Sequence, residues 1–312
     1  MKGIILAGGS GTRLYPLTKV VSKQLQAIYD KPMIYYPLST LMLAGIKDIL
    51  IITTPHDQKM FMEQLGDGSN FGINLNYAIQ EKPNGLAQAF VIGEDFIKDE
   101  ACALILGDNI FYGNGFVEML KNAAVLASSH NQAVNFGYEV SDPERFGVME
   151  LDDHHNVISV EEKPSNPKSN IAITGLYFYP NDIVAKAKMV KPSKRNEYEI
   201  TSINEMYLKE NRLKAQVLGG GFSWFDAGTF ESKLDAENFI YNVQKSRGRV
   251  IACLEQIGYD NNWLSLDKLK EQAIVMQKNS YGEFLNNLVA KAKDKATIEE
   301  EEKNASNSNR TR

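Results

Sequence analysis

A chain of 312 residues, 43% hydrophobic and 23% charged, is long enough to bury a full core as one large domain or two unequal ones. Its formal net charge of −5 argues against a general nucleic-acid surface, although a local cluster of Arg, Lys and backbone N–H groups still suits an anionic small substrate. No stretch approaches the ~18 apolar residues of a membrane span, and Cys102 and Cys253 stand alone in apolar runs as buried reduced thiols, so the expected compartment is the cytoplasm.

Residues 2–7 (KGIILA) form a short apolar run stopped by Gly8 and Gly9, which suits a central parallel strand better than a signal peptide. LAGGSGTRL (6–14) follows at once. Gly8, Gly9 and Gly11 allow positive φ and bring bare N–H groups to an oxyanion, while Arg13 adds a planar cation suited to polyphosphate. A P-loop would need a lysine that is missing here, and a dinucleotide fingerprint would need glycine where Leu14 stands. Ser22-Lys23-Gln24 then places an ammonium close in sequence to that loop.

Residues 33–46 read as a buried helix, 46–54 as a strand, 57–65 as a helix and 73–80 as a strand. Residues 86–97 look like one helix, and 101–108 a buried strand ending on Asp108. This alternation predicts an α/β fold with a doubly wound, mostly parallel, Rossmann-like sheet. Beyond residue 133 four strand candidates (AVNFGYEV, FGVMEL, VISVEE, IAITGLYFY) predict a β-rich elaboration carrying a second half of a site. Helical patterns return at 182–188, 199–210 and 230–245, and 254–288 is mostly helical. The expected division is a core over 1–245 (halves of about 1–130 and 131–245), a C-terminal helical subdomain over 246–290, and a disordered polar tail over 291–312.

The glycine loop, SKQL, YDKPMIYYPL, Q-x4-GLAQA, LGDNI, EEKP, TGLYFY and WFDAGT together resemble the sugar nucleotidyltransferases, in particular their thymidylyl branch, from Lys2 to about residue 288. The resemblance implies dTTP and glucose 1-phosphate as substrates, Mg²⁺ as cofactor, neither nucleic acid nor membrane as partner, and a homotetramer. It places the metal on Asp108 and Asp226, a pair from distant segments that suits an ion taking few carboxylates plus phosphate oxygens. The nucleotide falls on Gly8, Gly9, Ser10, Gly11, Thr12, Arg13, Lys23, Gln24 and Asp108, and the base on Gln80 and Gly85. Glutamine offers both a donor and an acceptor to the imide edge of thymine or uracil. The sugar falls on Gly147, Glu162 and Ile173, its phosphate on Lys163, and Tyr177 and Trp224 line the pocket.

The implied mechanism is in-line attack of a sugar phosphate oxygen on the α-phosphorus. That oxygen is already anionic and needs no general base, so Arg13, Lys23 and Lys163 act by positioning and charge stabilisation. Uridylyl or cytidylyl transfer, another hexose 1-phosphate, and a non-catalytic sensor on the same fold stay open as alternatives. Two departures stand out: Ala227 where the family has Thr, and Gln256 with Asp260 where the family's regulatory nucleotide site carries Glu and Arg. The acid predicts weak inhibition by a distal dTDP-sugar.

Overall fold

The computed structural model describes residues 1–9 and 11–294. In chain order its elements are β1 (Lys2–Leu6), β2 (Ala27–Ile28), β3 (Lys31–Pro32), α1 (Tyr35–Leu43), β4 (Asp48–Thr53), α2 (Gln58–Leu65), β5 (Asn74–Ile79), α3 (Gln88–Ile92) and α4 (Glu94–Ile97). Then come β6 (Cys102–Leu106), β7 (Asn109–Gly113), α5 (Phe116–Ser129), β8 (Ala133–Glu139), β9 (Gly147–Leu151), β10 (Val157–Glu162) and β11 (Ile171–Tyr179). The order closes with α6 (Ile183–Met189), α7 (Ile200–Lys209), β12 (Leu213–Leu218), β13 (Phe222–Asp226), α8 (Phe230–Arg247), α9 (Leu254–Asp260) and α10 (Leu266–Val275). Residues 280–294 are also helical. Of the polar tail expected to be disordered over 291–312, residues 291–294 instead continue this helix, and the remainder lies outside the described residues, as does Ser10.

The main sheet has nine strands, with the path β10-β9-β11-β6-β1-β4-β5 and β8 and β12 attached beside β11. Only β10 and β11 run against the others. Strand β1 is central because the chain goes from it to β4 and β5 on one side and returns to β6 on the other. That reversal opens a crevice between the carboxyl ends of β1 and β6, where open α/β sheets bind ligands. Both faces are covered: Ile5, Ile49, Ile51 and Ile105 pack toward α1, α2 and α5, while the alternate residues Ile4, Leu50, Ile52 and Leu104 pack against Phe90, Ile97, Ile203 and Tyr207. Inner strands apolar on both sides need such double cover, and the continuous runs in the sequence had called for it.

Strand β11 forks. Its first half pairs with β9 at Ala172, its second half with β6 from Leu176 to Tyr179, and β8 follows its other edge with a register break between Ile173 and Tyr177. At Gly175 an added Cβ would lie 2.7 Å from both Leu106 Cγ and Asn109 Oδ1, so only glycine lets the neighbours close in. The fork leaves a gap between the end of β6 and the start of β9. A cavity opens in that gap.

Three local readings differ. The helix expected over 86–97 is broken at Gly93 into α3 and α4, with Ile4 and Leu50 packed against the break at 3.1 and 3.2 Å from a hypothetical Cβ. Strands β7, β12 and β13 and the β2–β3 hairpin escaped periodicity because they are short or half-polar. Helix α8 runs to Arg247, two residues past 245, and the following helices build a small core of their own around Leu264, Leu269, Tyr281 and Leu285.

Candidate active site

The loop after β1 turns at Gly9 (φ 112°) and Gly11 (φ 58°), conformations that cost little only for glycine. A short 3-10 turn, Thr12–Leu14, follows, and its buried Leu14 anchors it. Arg13 is thereby directed across the crevice to Gly228, where an added Cβ would lie 2.8 Å from Arg13 Nη2 and 3.1 Å from Asp226 Oδ1. At Gly8 an added Cβ would lie 3.3 Å from Gln80 Oε1, so that oxygen borders the loop. Gln80, 5% exposed at the end of β5, donates from Nε2 to Gln88 Oε1 (2.8 Å) and to Gly85 O (3.3 Å). Its Oε1 is left to accept. Gly85 (φ 115°) lies against the backbone of Tyr198, 2.5 Å from a hypothetical Cβ, so close approach within the protein also demands glycine here. Gln24, 2% exposed, accepts from Ser22 Oγ and packs on Gly107 in the crevice between β1 and β6.

Asp108 follows β6 and Asp226 ends β13. Strands β7 and β13 pair antiparallel with Asp226 opposite Asn109, and Ala227 N–H donates to Asp108 O at 3.0 Å. Two acids 118 positions apart in sequence thus become neighbours. Burial raises the Asp108 carboxyl, but the Lys23 ammonium, which donates to its Oδ2, outweighs that and holds it below the usual carboxylate range. Burial first, and then the charge of Asp108, push the Asp226 carboxyl upward. Two close carboxylates that resist joint ionisation, with oxygen as the only donor atom, fit a hard divalent cation. No group of three or more acidic, His or Cys ligands gathers among the described residues, so a cation here would lean on substrate oxygens.

The residues expected to take the sugar lie across the gap. A cavity of about 220 Å³ is lined by Arg13, Asp108, Gly147, Glu162, Lys163, Ile173, Tyr177, Trp224 and Asp226, all of them residues singled out in the sequence. Glu162 ends β10 opposite Gly147 and accepts from Thr201 Oγ1 and, at 3.2 Å, from Arg195. Lys163 adopts a left-handed conformation (φ 43°), unusual for a lysine, with its N–H bonded to Phe146 O at 3.0 Å. Tyr177 is 4% exposed, and burial drives its hydroxyl well above its ordinary pKa.

Several lining residues had escaped notice: Asn109, Arg145, Phe146 and Thr201. Asn109 Oδ1 accepts from Trp224 Nε1 (2.7 Å) and Gly175 N–H (3.0 Å), while its Nδ2 donates to Asp108 Oδ1 (3.1 Å). Its place beside Asp108 was a signal, but its partners lie 66 and 115 positions away. Gln256 and Asp260 line a separate cavity of about 310 Å³ that also includes Arg247 and Arg249.

The nucleotidyl transferase family profile matches residues 2–243. The chain is 57% identical to a glucose-1-phosphate thymidylyltransferase of Neisseria meningitidis serogroup A, over 93% of this chain and 100% of that protein. It is 48% identical to one of Mycobacterium tuberculosis, over 93% of this chain and 99% of that protein. Among solved structures, a UDP-glucose pyrophosphorylase complexed with UDP-glucose superposes with a TM-score of 0.68 at 27% identity, covering 78% of this chain and 98% of that one.

Proposed function

The chain belongs to the nucleotidyl transferase family, and from that membership we propose how its site residues divide the reaction. The enzyme transfers the thymidylyl group of dTTP to glucose 1-phosphate, giving dTDP-glucose and pyrophosphate. The observation that carries the division of roles is the pairing of Asp226 with Asn109, which sets both acids at the junction of the glycine loop and the sugar cavity.

Gln80 Oε1 accepts the imide N–H of thymine, and the N–H groups around Gly8–Gly11 with Arg13 hold the β- and γ-phosphates. Glu162 and the backbone at Gly147 and Ile173 take sugar hydroxyls, against walls formed by Tyr177 and Trp224. Lys163, with Arg145 beside it in the cavity, orients the sugar phosphate. One of its oxygens bonds to the α-phosphorus as the α–β bridging bond breaks and its electron pair leaves with pyrophosphate. Lys23 exchanges Asp108 for the phosphoryl oxygens and neutralises their charge. The family typically uses a divalent metal; Mg²⁺ bound by Asp108 and Asp226 supplies further charge neutralisation on the triphosphate.

Pyrophosphate release, measured over four bases and several sugar phosphates with and without Mg²⁺, tests this reading. We expect dTTP with glucose 1-phosphate to be preferred, the rate to vanish without Mg²⁺, and Asp226→Ala and Lys163→Ala each to lose about 10²–10³ in kcat. Near-normal release by both variants would refute the assignment. The enzyme acts in the cytoplasm, consistent with its two buried free thiols, and as a homotetramer. The exposed Phe230, Leu234 and Tyr241 of α8 offer an apolar contact between subunits, and light scattering giving a monomer mass would end that part.

A further inference from the structure

We infer that Gln244, near the end of α8, is a positioning residue for Lys23. The two are joined through the β2–β3 hairpin. Lys23 O accepts from Gln26 N–H (3.1 Å), Gln24 O from Ile34 N–H (2.8 Å), and Gln26 O from Met33 N–H (2.9 Å), so the Lys23–Gln24 segment forms the neck of that hairpin. At its tip stand Asp30 and Lys31, the latter 4% exposed, with the Lys31 ammonium on Asp30 Oδ1. Gln244 holds both: its Nε2 donates to Asp30 Oδ2 (2.9 Å) and its Oε1 accepts from Lys31 Nζ (3.3 Å). The same Oε1 accepts Ile251 N–H at 2.8 Å, which ties the start of the C-terminal helices to the hairpin.

The other end of α8 reaches the second acid. Thr229, three residues after Asp226, caps the helix in a reciprocal bond pair with Ser232. Gln244 lies ~21 Å along the helix from Phe230, at 1.5 Å per residue. The path from Lys23 through the hairpin, Gln244, α8, Asp226 and the β13–β7 ladder to Asp108 therefore closes on itself where Lys23 meets Asp108. Its interior is filled by Ile28, Met33, Tyr36, Ile110, Ala236 and Ile240, so a shift at Gln244 moves packed groups together rather than bending one loop. The groups that bind base and sugar, Gln80, Gly147 and Glu162, hang from strands outside this ring. The consequence is specific. Loosening Gln244 displaces the charge on Lys23 while leaving in place the groups that bind base and sugar.

This inference rests on the role given to Lys23 above, and the experiment separates the two. Gln244→Met keeps the shape and removes the amide. We expect kcat for pyrophosphate release to fall about tenfold, since small misplacements of a catalytic group are that costly, with KM for dTTP and glucose 1-phosphate within about twofold of the parent. Lys23→Met/Gln244→Met should turn over no more slowly than Lys23→Met, because the two act as one unit. Amide exchange at Met33 and Ile34 should quicken about tenfold in Gln244→Met. Unchanged kcat, a rise in KM that matches any loss, or a further tenfold loss in the double variant each overturn the inference while leaving the reaction assignment intact. Wild-type turnover by Lys23→Met would overturn both. Should Gln244→Met fail to fold, Gln244→Asn, which withdraws the same amide by one methylene, is read by the same criteria.

Discussion

Asn109 has its whole side chain committed to other parts of the site. Its oxygen receives the Trp224 indole and the Gly175 amide at the fork of β11, and its nitrogen braces Asp108. At 2% exposure, truncation leaves these partners buried without water to replace it. Asn109→Ala is therefore expected to cost roughly 2–4 kcal/mol of stability and about 10² in kcat, read by denaturant melts and turnover of the folded fraction. A variant as stable and as active as the parent would deny Asn109 this bracing role. At this scale the glycine loop and Arg13 stood out through a local pattern of glycines and charge, and Lys23 through its closeness to that loop. Asp108, Glu162 and Lys163 were singled out with the help of the family resemblance, and with Arg13 they line one cavity. Asn109, Thr201 and Arg195 were not legible. An asparagine, a threonine or one more arginine carries no signal until its partner is known, and Arg195 becomes notable only because it reaches Glu162.

The forked strand β11 and the β7–β13 ladder are what turn separate motifs into a site. The fork depends on Gly175, where a methyl group would collide with Leu106 and with the Asn109 amide at 2.7 Å. Gly175→Ala should lower the melting temperature by several degrees and kcat/KM by about 10², whereas Gly221→Ala, with nothing within 4 Å of its added carbon, should be neutral in both. Equal behaviour of the two variants would mean the fork does not set the cavity. The strands of the inner sheet were readable because apolar runs bounded by glycine suit only a doubly covered strand. The ladder was not readable: β7 and β13 are five residues each, mixed in polarity, and are strands only because they pair with each other.

The molecule as a whole also carries a buried acid that takes no part in the proposed chemistry. Glu255, 1% exposed where α9 meets residues 280–294, accepts from the Tyr281 hydroxyl, and burial raises its pKa above 4.5. A carboxyl raised in the folded state keeps its proton there after the unfolded chain has lost it. Stability attributable to it thus falls as pH rises from about 4.5 through the raised value. Glu255→Gln should remove that slope, so the variant gains in melting temperature relative to the parent between pH 5 and pH 8. A relative gain at pH 5 that disappears by pH 8 would reverse the sign and refute it.

The sequence by itself determined the doubly wound inner sheet, the glycine-bearing turn after its first strand and the charged residues that stand near it. Those properties arise from apolar periodicity, backbone freedom and ionisable groups acting over a few neighbouring residues. Only the tertiary structure decided that Asp226 sits beside Asp108, that β11 splits to open a cavity, and that α8 reaches back to the hairpin behind Lys23. Each of these is a hydrogen bond or packing contact between segments far apart in the chain. Their energies depend on how strands pair and helices lie, which no local run of residues encodes.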